Sequence, residues 1–346
     1  MRIEQTELRD AGRQLLGDLG PGTNTGEALA AIRDAGWLAL TASEAQGGLE
    51  QPFEAAAWLY LEIGHAISPA PLLPGLMAAD AINAAQGYAG ADEWIGRIAA
   101  GEPPAASLLC PTEAALNHAD GMLSGALAMV QGAGSASHVL VAAPGIAALV
   151  PLDRDGVTVT PHTMWDATRE LAEVSFDGVA IEAGDILAEG KAADVVIAAA
   201  TTHLHFAIAG DCVGSATALL DQTVEYLKTR KQFDRPLAMF QALKHRCADL
   251  KAYIVAAEAM YFDGLAQYED GTADPVTLAR GVKALCSATF RDVAEESMQL
   301  HGGIGMTSEY PCHLYFKRAL LNEHLASGND ACEVAVGQAL QKEMAA

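Results

Sequence analysis

Positive charge is scarce in this chain of 346 residues: 21 Lys and Arg stand against 44 Asp and Glu, a formal charge of −23. Such a surface repels phosphate backbones and anionic lipid headgroups, which argues against nucleic acid as a partner. Long hydrophobic runs are missing too. Stretches such as VVIAAA at 195–200 fall far short of the roughly 20 residues that a bilayer crossing needs. MRIEQTELRD at the start is charged from its second residue and has no apolar h-region, so the expectation is a cytoplasmic protein without membrane insertion. The six cysteines (Cys110, Cys212, Cys247, Cys286, Cys312 and Cys332) contain no C-x-x-C pair, which points to free thiols in a reducing compartment, most of them small core residues.

What is present falls into three textures. Strand patterns are nearly absent from the first hundred residues, where Ala-rich amphipathic stretches (GEALAAIRDAGWLAL, PFEAAAWLYLEIGHAI, PLLPGLMAADAINAA) are broken by the Gly-rich SEAQGGLEQP. From about residue 104 short β-rich runs take over, MLSGALAMV, SHVLVAAP, IAALVPL, GVTVTPH and LAEVSFDGVAI, each bounded by Gly, Asp or Pro. Helical periodicity then returns to residue 345, interrupted at 231–236, 269–275 and 301–311. The expected fold is mainly α with a central β domain: a helical domain over 1–103, a small barrel or sandwich over 104–190, and an antiparallel helical bundle over 191–346.

Four stretches, DAGWLALTASEAQGGL, DATRELAEVSFDGVAI, YLKTRKQFDRPLAMFQALKHRCADL and QLHGGIGMTSEYP, occur in the order and layout of the acyl-CoA dehydrogenase family, which the chain resembles along its length. The resemblance implies that family's fold, with a C-terminal four-helix bundle, and its chemistry: FAD-dependent oxidation of an acyl-CoA thioester to the trans-2-enoyl-CoA. In that reaction a carboxylate takes the α-proton as hydride leaves the β-carbon for the flavin. It also implies an electron-transfer flavoprotein or similar acceptor, and a subunit interface across which one chain holds the adenosine diphosphate half of its neighbour's FAD.

Carried over residue by residue, that in-trans set is Arg230, Phe233, Gln241, Gln299, Gly302 and Gly303. Arg230 would offer a guanidinium fork to pyrophosphate, the two glutamines amide groups to ribose, phosphate or adenine, and the glycines a backbone that a phosphate can approach. Without the resemblance, Arg230 reads as a solvated helix end and the glycines as a plain turn.

The family's base is absent from both of its usual places. Ungapped counting from Glu309, Tyr310 and Pro311 puts Ala326 at one, and counting back from Arg230 and Lys231 puts Leu204 at the other. Where the family's Trp and Thr touch the flavin ring stand Met129 and Gln131, and of the preceding loop only Thr112 and Glu113 are kept. Glu323, three residues before Ala326, is a weak substitute base, a register shift would bring it or Asp330 near, and each reads more simply as an exposed carboxylate. His203 and His205, two apart on a helix, diverge too far to share a metal and read as helix-surface or packing residues. His301 and His313 receive no chemistry.

Groups serving the chain's own flavin are thus lost while groups serving a neighbour's are kept. The resemblance is to the small, non-catalytic subunit of heteromeric (α2β2) acyl-CoA dehydrogenases of the pimeloyl-CoA or steroid side-chain type, which share FAD with a catalytic partner. A self-sufficient homomeric enzyme using Glu323, or a CoA-ester-binding scaffold without redox chemistry, are the alternatives.

Overall fold

The computed structural model describes residues 3–110, 115–272 and 274–345. Among the described residues five α-helices precede the sheet: α1 (Gln5–Leu19), α2 (Thr25–Asp34), α3 (Phe53–His65), α4 (Leu72–Ala84) and α5 (Ala91–Ala99). In α1 Leu8, Gly12 and Leu16 recur every fourth position and form its buried face. Beside them Arg9 and Arg13 reach Glu62 of α3 at 2.8 and 2.9 Å, so the fully buried carboxylate is paired rather than stranded.

Eight strands follow: β1 (Ala105–Ser107), β2 (Ala115–Ala119), β3 (Met122–Gln131), β4 (His138–Ala143), β5 (Ile146–Pro151), β6 (Val157–Pro161), β7 (Leu171–Ala180) and β8 (Ile186–Glu189). They form one sheet in the order β6-β7-β3-β1-β4-β5-β8, with β2 added against β3. Among the described residues only β1 and β4 pair in parallel. Alternate residues serve opposite faces: Val139 and Val141 of β4 and Ile146 and Val150 of β5 join Leu123, Val174 and Phe176 in a core of the sheet's own, whereas Leu140, Ala147 and Leu149 pack on the helices. A single sheet that encloses a core must curl. Among the described residues its end strands β6 and β8 do not pair, so it is a partly rolled sheet rather than two stacked ones.

The third segment holds α6 (Lys191–Thr229), a two-stranded hairpin of β9 (Lys231–Gln232) and β10 (Arg235–Pro236), α7 (Gln241–Glu269), α8 (Pro275–His301), α9 (Cys312–His324) and α10 (Asn329–Ala345). By length and composition α6 alone among the described residues could cross a membrane, yet 67% of its apolar window is buried inside the protein. It is the central helix, packed by α3, α4, α7 and α8. Its contact with α3 is backbone to backbone: a Cβ at Gly64 would fall 2.0 Å from the Asp211 carbonyl oxygen, and one at Gly214 would fall 1.9 Å from that of Leu61. None of the six cysteines forms a disulfide, and all but Cys247 are buried.

Candidate functional site

The α6 helix ends at Arg230, whose backbone N–H donates to the Tyr226 carbonyl at 2.9 Å. Phe233 and Asp234, with φ of 54° and 62°, turn the hairpin, and the Leu237 N–H returns to the Arg230 carbonyl at 2.8 Å, delivering the chain to Gln241 at the start of α7. The end of α8 is brought to the same place by ring packing. Tyr226 stacks on His301 with centroids 4.5 Å apart, its hydroxyl donates to the His301 carbonyl at 3.3 Å, and Tyr310 sits edge-on to both rings. The His301 Nδ1–H donates to the Ser297 carbonyl at 2.8 Å, which fixes the ring. An Arg246–Glu296 ion pair ties the first turns of α7 to the last turns of α8.

This end of the bundle therefore gathers Arg230, Phe233, Gln241, Gln299, Gly302 and Gly303, and all six are exposed. Phe233 is 84% accessible and nearby Met306 76%. Among the described residues the side chains of Arg230, Gln241 and Gln299 make no hydrogen bond or ion pair. Gly302 needs glycine for its φ of 66°, but a Cβ at Gly302 or Gly303 would meet nothing within 4 Å. Among the described residues nothing in the packing requires glycine at 303.

The positions where a base was sought are apolar and closed: Leu204 is 1% and Ala326 0% accessible, both in the main core. Ala326 and Ser327 adopt φ of 54° and 69°, left-handed values that disfavour any residue with a Cβ, and together they make a fourth break in the helices that the sequence pattern does not announce. The turn is pinned. The Ala326 N–H donates to the Leu108 carbonyl at 2.8 Å, and the ammonium of fully buried Lys283 donates to Ser327 O (2.7 Å), Glu323 O (2.9 Å) and Asn329 Oδ1 (3.0 Å). The Glu323 carboxylate accepts from Arg291 at 2.5 Å, and Asp330 is exposed. Met129, at φ 51°, forms a bulge in β3, its carbonyl accepting from the Leu108 N–H at 3.0 Å, and Gln131 is 4% accessible. Thr112 and Glu113 lie outside the described residues.

His203 and His205 do diverge, but neither is on the surface. His203 lies between Tyr60 and Asp80, 2.6 Å from each, with 1% exposure. His205 donates through Nδ1 to the Thr201 carbonyl at 2.7 Å, and burial, helped by Arg280 and Lys283, pushes its pKa down to about 3. His313 packs at the start of α9, with Nδ1 against the Tyr310 carbonyl at 2.9 Å.

The model of the acyl-CoA dehydrogenase C-terminal domain matches residues 194–337, which run from α6 into α10. The acyl-CoA dehydrogenase IpdE2 of Mycobacterium tuberculosis is 34% identical over 284 residues, 82% of this chain and 77% of that protein. The chain belongs to the acyl-CoA dehydrogenase family. A variant of the Tcur3481-Tcur3483 steroid ACAD superimposes with a TM-score of 0.86 at 26% identity, covering 99% of both chains. The ChsE4-ChsE5 complex from Mycobacterium tuberculosis shares the fold, with a TM-score of 0.87 at 20% identity over 97% of both chains.

One feature of this acyl-CoA dehydrogenase escaped sequence reasoning: the polar junction between its three segments. Arg318 of α9, fully buried, donates to Asp211 of α6 (3.2 Å) and to the carbonyls of Ser68 (3.2 Å) and Thr168 (3.0 Å), with Asp166 at 3.6 Å. Arg169 reaches the same Asp211 oxygen at 3.0 Å, and Asn322 donates to the other at 2.8 Å. Burial pulls the Arg169 pKa down, offset by Asp211. The available signal was a charge set in an apolar helical run, as Asp211 is in AIAGDCVG. A residue of that kind is buried only when paired.

Proposed function

We propose that this chain is the non-catalytic subunit of a heteromeric, FAD-dependent acyl-CoA dehydrogenase of α2β2 type. The observation that carries the reading is the exposed end of the bundle. Arg230, Gln241, Gln299 and the 302–303 turn are assembled by their own packing yet, among the described residues, are committed to no partner. Their chemistry fits the diphosphate and adenosine portion of FAD held by a partner: a guanidinium for pyrophosphate, two amides, and an open backbone at Gly302 and Gly303. Bound there, FAD would supply the hydride acceptor for desaturation of the acyl-CoA thioester, with an electron-transfer flavoprotein or similar carrier downstream.

The same reading explains the closed acid positions. Proton abstraction needs a base within hydrogen-bond reach of the α-carbon, and an alanine and a leucine cannot provide one. The partner subunit would supply the base, the flavin-ring contacts and the acyl pocket. The likeness to a two-chain steroid ACAD supports both a partner and a bulky acyl group such as a steroid side chain. The homomeric alternative is weakened by the commitment of Glu323 to Arg291.

The test is production of the chain alone and together with a candidate catalytic acyl-CoA dehydrogenase subunit, followed by flavin absorbance and the mass of the product. Little flavin alone and a yellow heterotetramer together are expected. A lone chain with stoichiometric flavin and acyl-CoA oxidation would overturn the proposal, and absence of flavin with every partner would favour the scaffold alternative.

A further inference from the structure

A cavity of about 680 Å³ lies where the 86–90 loop and α5 face the start of β4, the middle of β5 and the start of β8. Its size suits a small organic molecule. Leu149, Ile186 and Leu187 give it an apolar side, and Glu93, Arg97 and His138 also line it. Glu93 and Arg97 stand one turn apart on α5, the spacing at which a glutamate and a following cation ordinarily pair. Here they do not. Among the described residues the Glu93 carboxylate makes no hydrogen bond or ion pair, while Arg97 turns to exposed Glu102 at 3.3 Å and to the Ser137 hydroxyl at 2.9 Å. Those bonds use Nε and Nη2 of Arg97 and, among the described residues, leave Nη1 unbonded. The guanidinium lies over the Trp94 ring, 4.3 Å from its centroid, a cation–π contact that fixes its position. His138 meets the same indole edge-on, with centroids 4.7 Å apart. The Ser137 hydroxyl accepts from Arg97, so its own proton goes to His138 Nδ1 at 2.9 Å, and the ring proton sits on Nε2. Among the described residues Nε2 makes no hydrogen bond.

We infer that this cavity binds a small zwitterion, an α-amino acid with an apolar side chain, its carboxylate on Arg97 and His138 and its ammonium on Glu93. One carboxylate oxygen accepts from Arg97 Nη1–H and the other from His138 Nε2–H, and both bonds are strengthened by charge. The ammonium has only donors and the Glu93 carboxylate only acceptors, so the two match. The ligand's apolar side chain is left to Leu149, Ile186 and Leu187. Asp185 lines the cavity too, but Arg154 and the Glu182 N–H occupy its oxygens, which leaves Glu93 as the acid for the ligand. None of Arg230, Gln241, Gln299, Met129 and Gln131 lines this cavity. The site is therefore separate from the proposed FAD-contact face and from the positions matched to the flavin ring.

Isothermal titration of the purified full chain with L-leucine and L-phenylalanine tests the inference, with 4-methylvalerate and isoamylamine as probes that carry one charge each. At least one amino acid should bind saturably, and both single-charge probes should bind about tenfold or more weakly than leucine or phenylalanine. Glu93→Gln and Arg97→Gln should each weaken the amino acid by about 10- to 100-fold, the effect of one lost charge-assisted bond. Glu93 is exposed, so its variant gives the reading should Arg97→Gln fold poorly, and both are checked by circular dichroism. Burial and Arg97 lower the His138 pKa, with Asp185 and Asp153 acting against them. A carboxylate bound beside the ring should raise it, read by imidazole NMR with and without the amino acid. An unchanged His138 titration, equal binding of either single-charge probe, unchanged affinity in the folded variants, or no binding of either amino acid would overturn the inference.

Discussion

Two polar regions of this molecule hold similar residue types to opposite ends. At the junction of the three segments, Arg318, Arg169, Asp211 and Asn322 are buried and bonded to one another. At the far end of the bundle, Arg230, Gln241 and Gln299 are exposed, and among the described residues their side chains make no hydrogen bond or ion pair. The first set is explained by the fold that it holds together. On the proposed function the second is explained by a partner outside the chain, and the contrast would then separate residues kept for architecture from residues kept for that partner.

The contrast predicts different readouts for substitutions of similar size. Asp211→Ala removes the carboxylate that two buried guanidinium groups share, and should cost about 3–5 kcal/mol of stability in urea unfolding. Lys283→Met strands the acceptors of the 323–329 turn and should cost about 2–4 kcal/mol, since each unsatisfied buried group costs about 1–3 kcal/mol. Arg230→Ala should leave the stability of the chain within about 0.5 kcal/mol, as surface changes do. In the complex, however, it should weaken FAD retention by about 1.5–3 kcal/mol, roughly 10- to 100-fold, read by flavin release on dilution. Loss of stability without loss of flavin would reverse the assignment.

A pH series sharpens the architectural side. His205 is held neutral in the fold, with its pKa lowered to about 3, whereas the unfolded chain takes up a proton near pH 6.5. The unfolded state then binds more protons below that pH, so the contribution of His205 is fully present above about 6.5 and is lost as pH falls from there toward 3. The slope should be about 1.4 kcal/mol per pH unit. His205→Gln should flatten the fall in stability between pH 6.5 and 5; an unchanged slope would count against the buried neutral ring. The smallest effect is expected from Glu323→Gln. Its bridge to partly exposed Arg291 is worth at most about 1 kcal/mol, and acyl-CoA oxidation by the complex should be unchanged. A large loss of turnover would restore Glu323 as a base.

Much of the layout was legible in the sequence because it rests on local periodicity. The runs read as strands at 122–130 and 146–152 correspond to β3 and β5, and the breaks at 231–236, 269–275 and 301–311 end α6, α7 and α8. The break at 325–328 was not legible. LASG carries no proline, and its left-handed residues are Ala326 and Ser327 rather than the glycine, a conformation imposed from a distance by Lys283 and Leu108. The burial of His203 and His205 was missed for a related reason: α6 is covered all round, so no position on its middle turns is a surface. The convergence of Arg230 with Gly302 came from motif resemblance, and the Tyr226–His301 stack that produces it lies between residues 75 apart.

The account turns on whether the chain completes a flavin site that it does not own. The most direct measurement is the flavin-to-protein ratio, by absorbance at constant total protein, of the chain purified alone and of its complex with a catalytic acyl-CoA dehydrogenase subunit. Little flavin in the lone chain, and one flavin per pair of unlike subunits in the complex, is the predicted result. A full complement of flavin in the lone chain, with acyl-CoA oxidation, would contradict it.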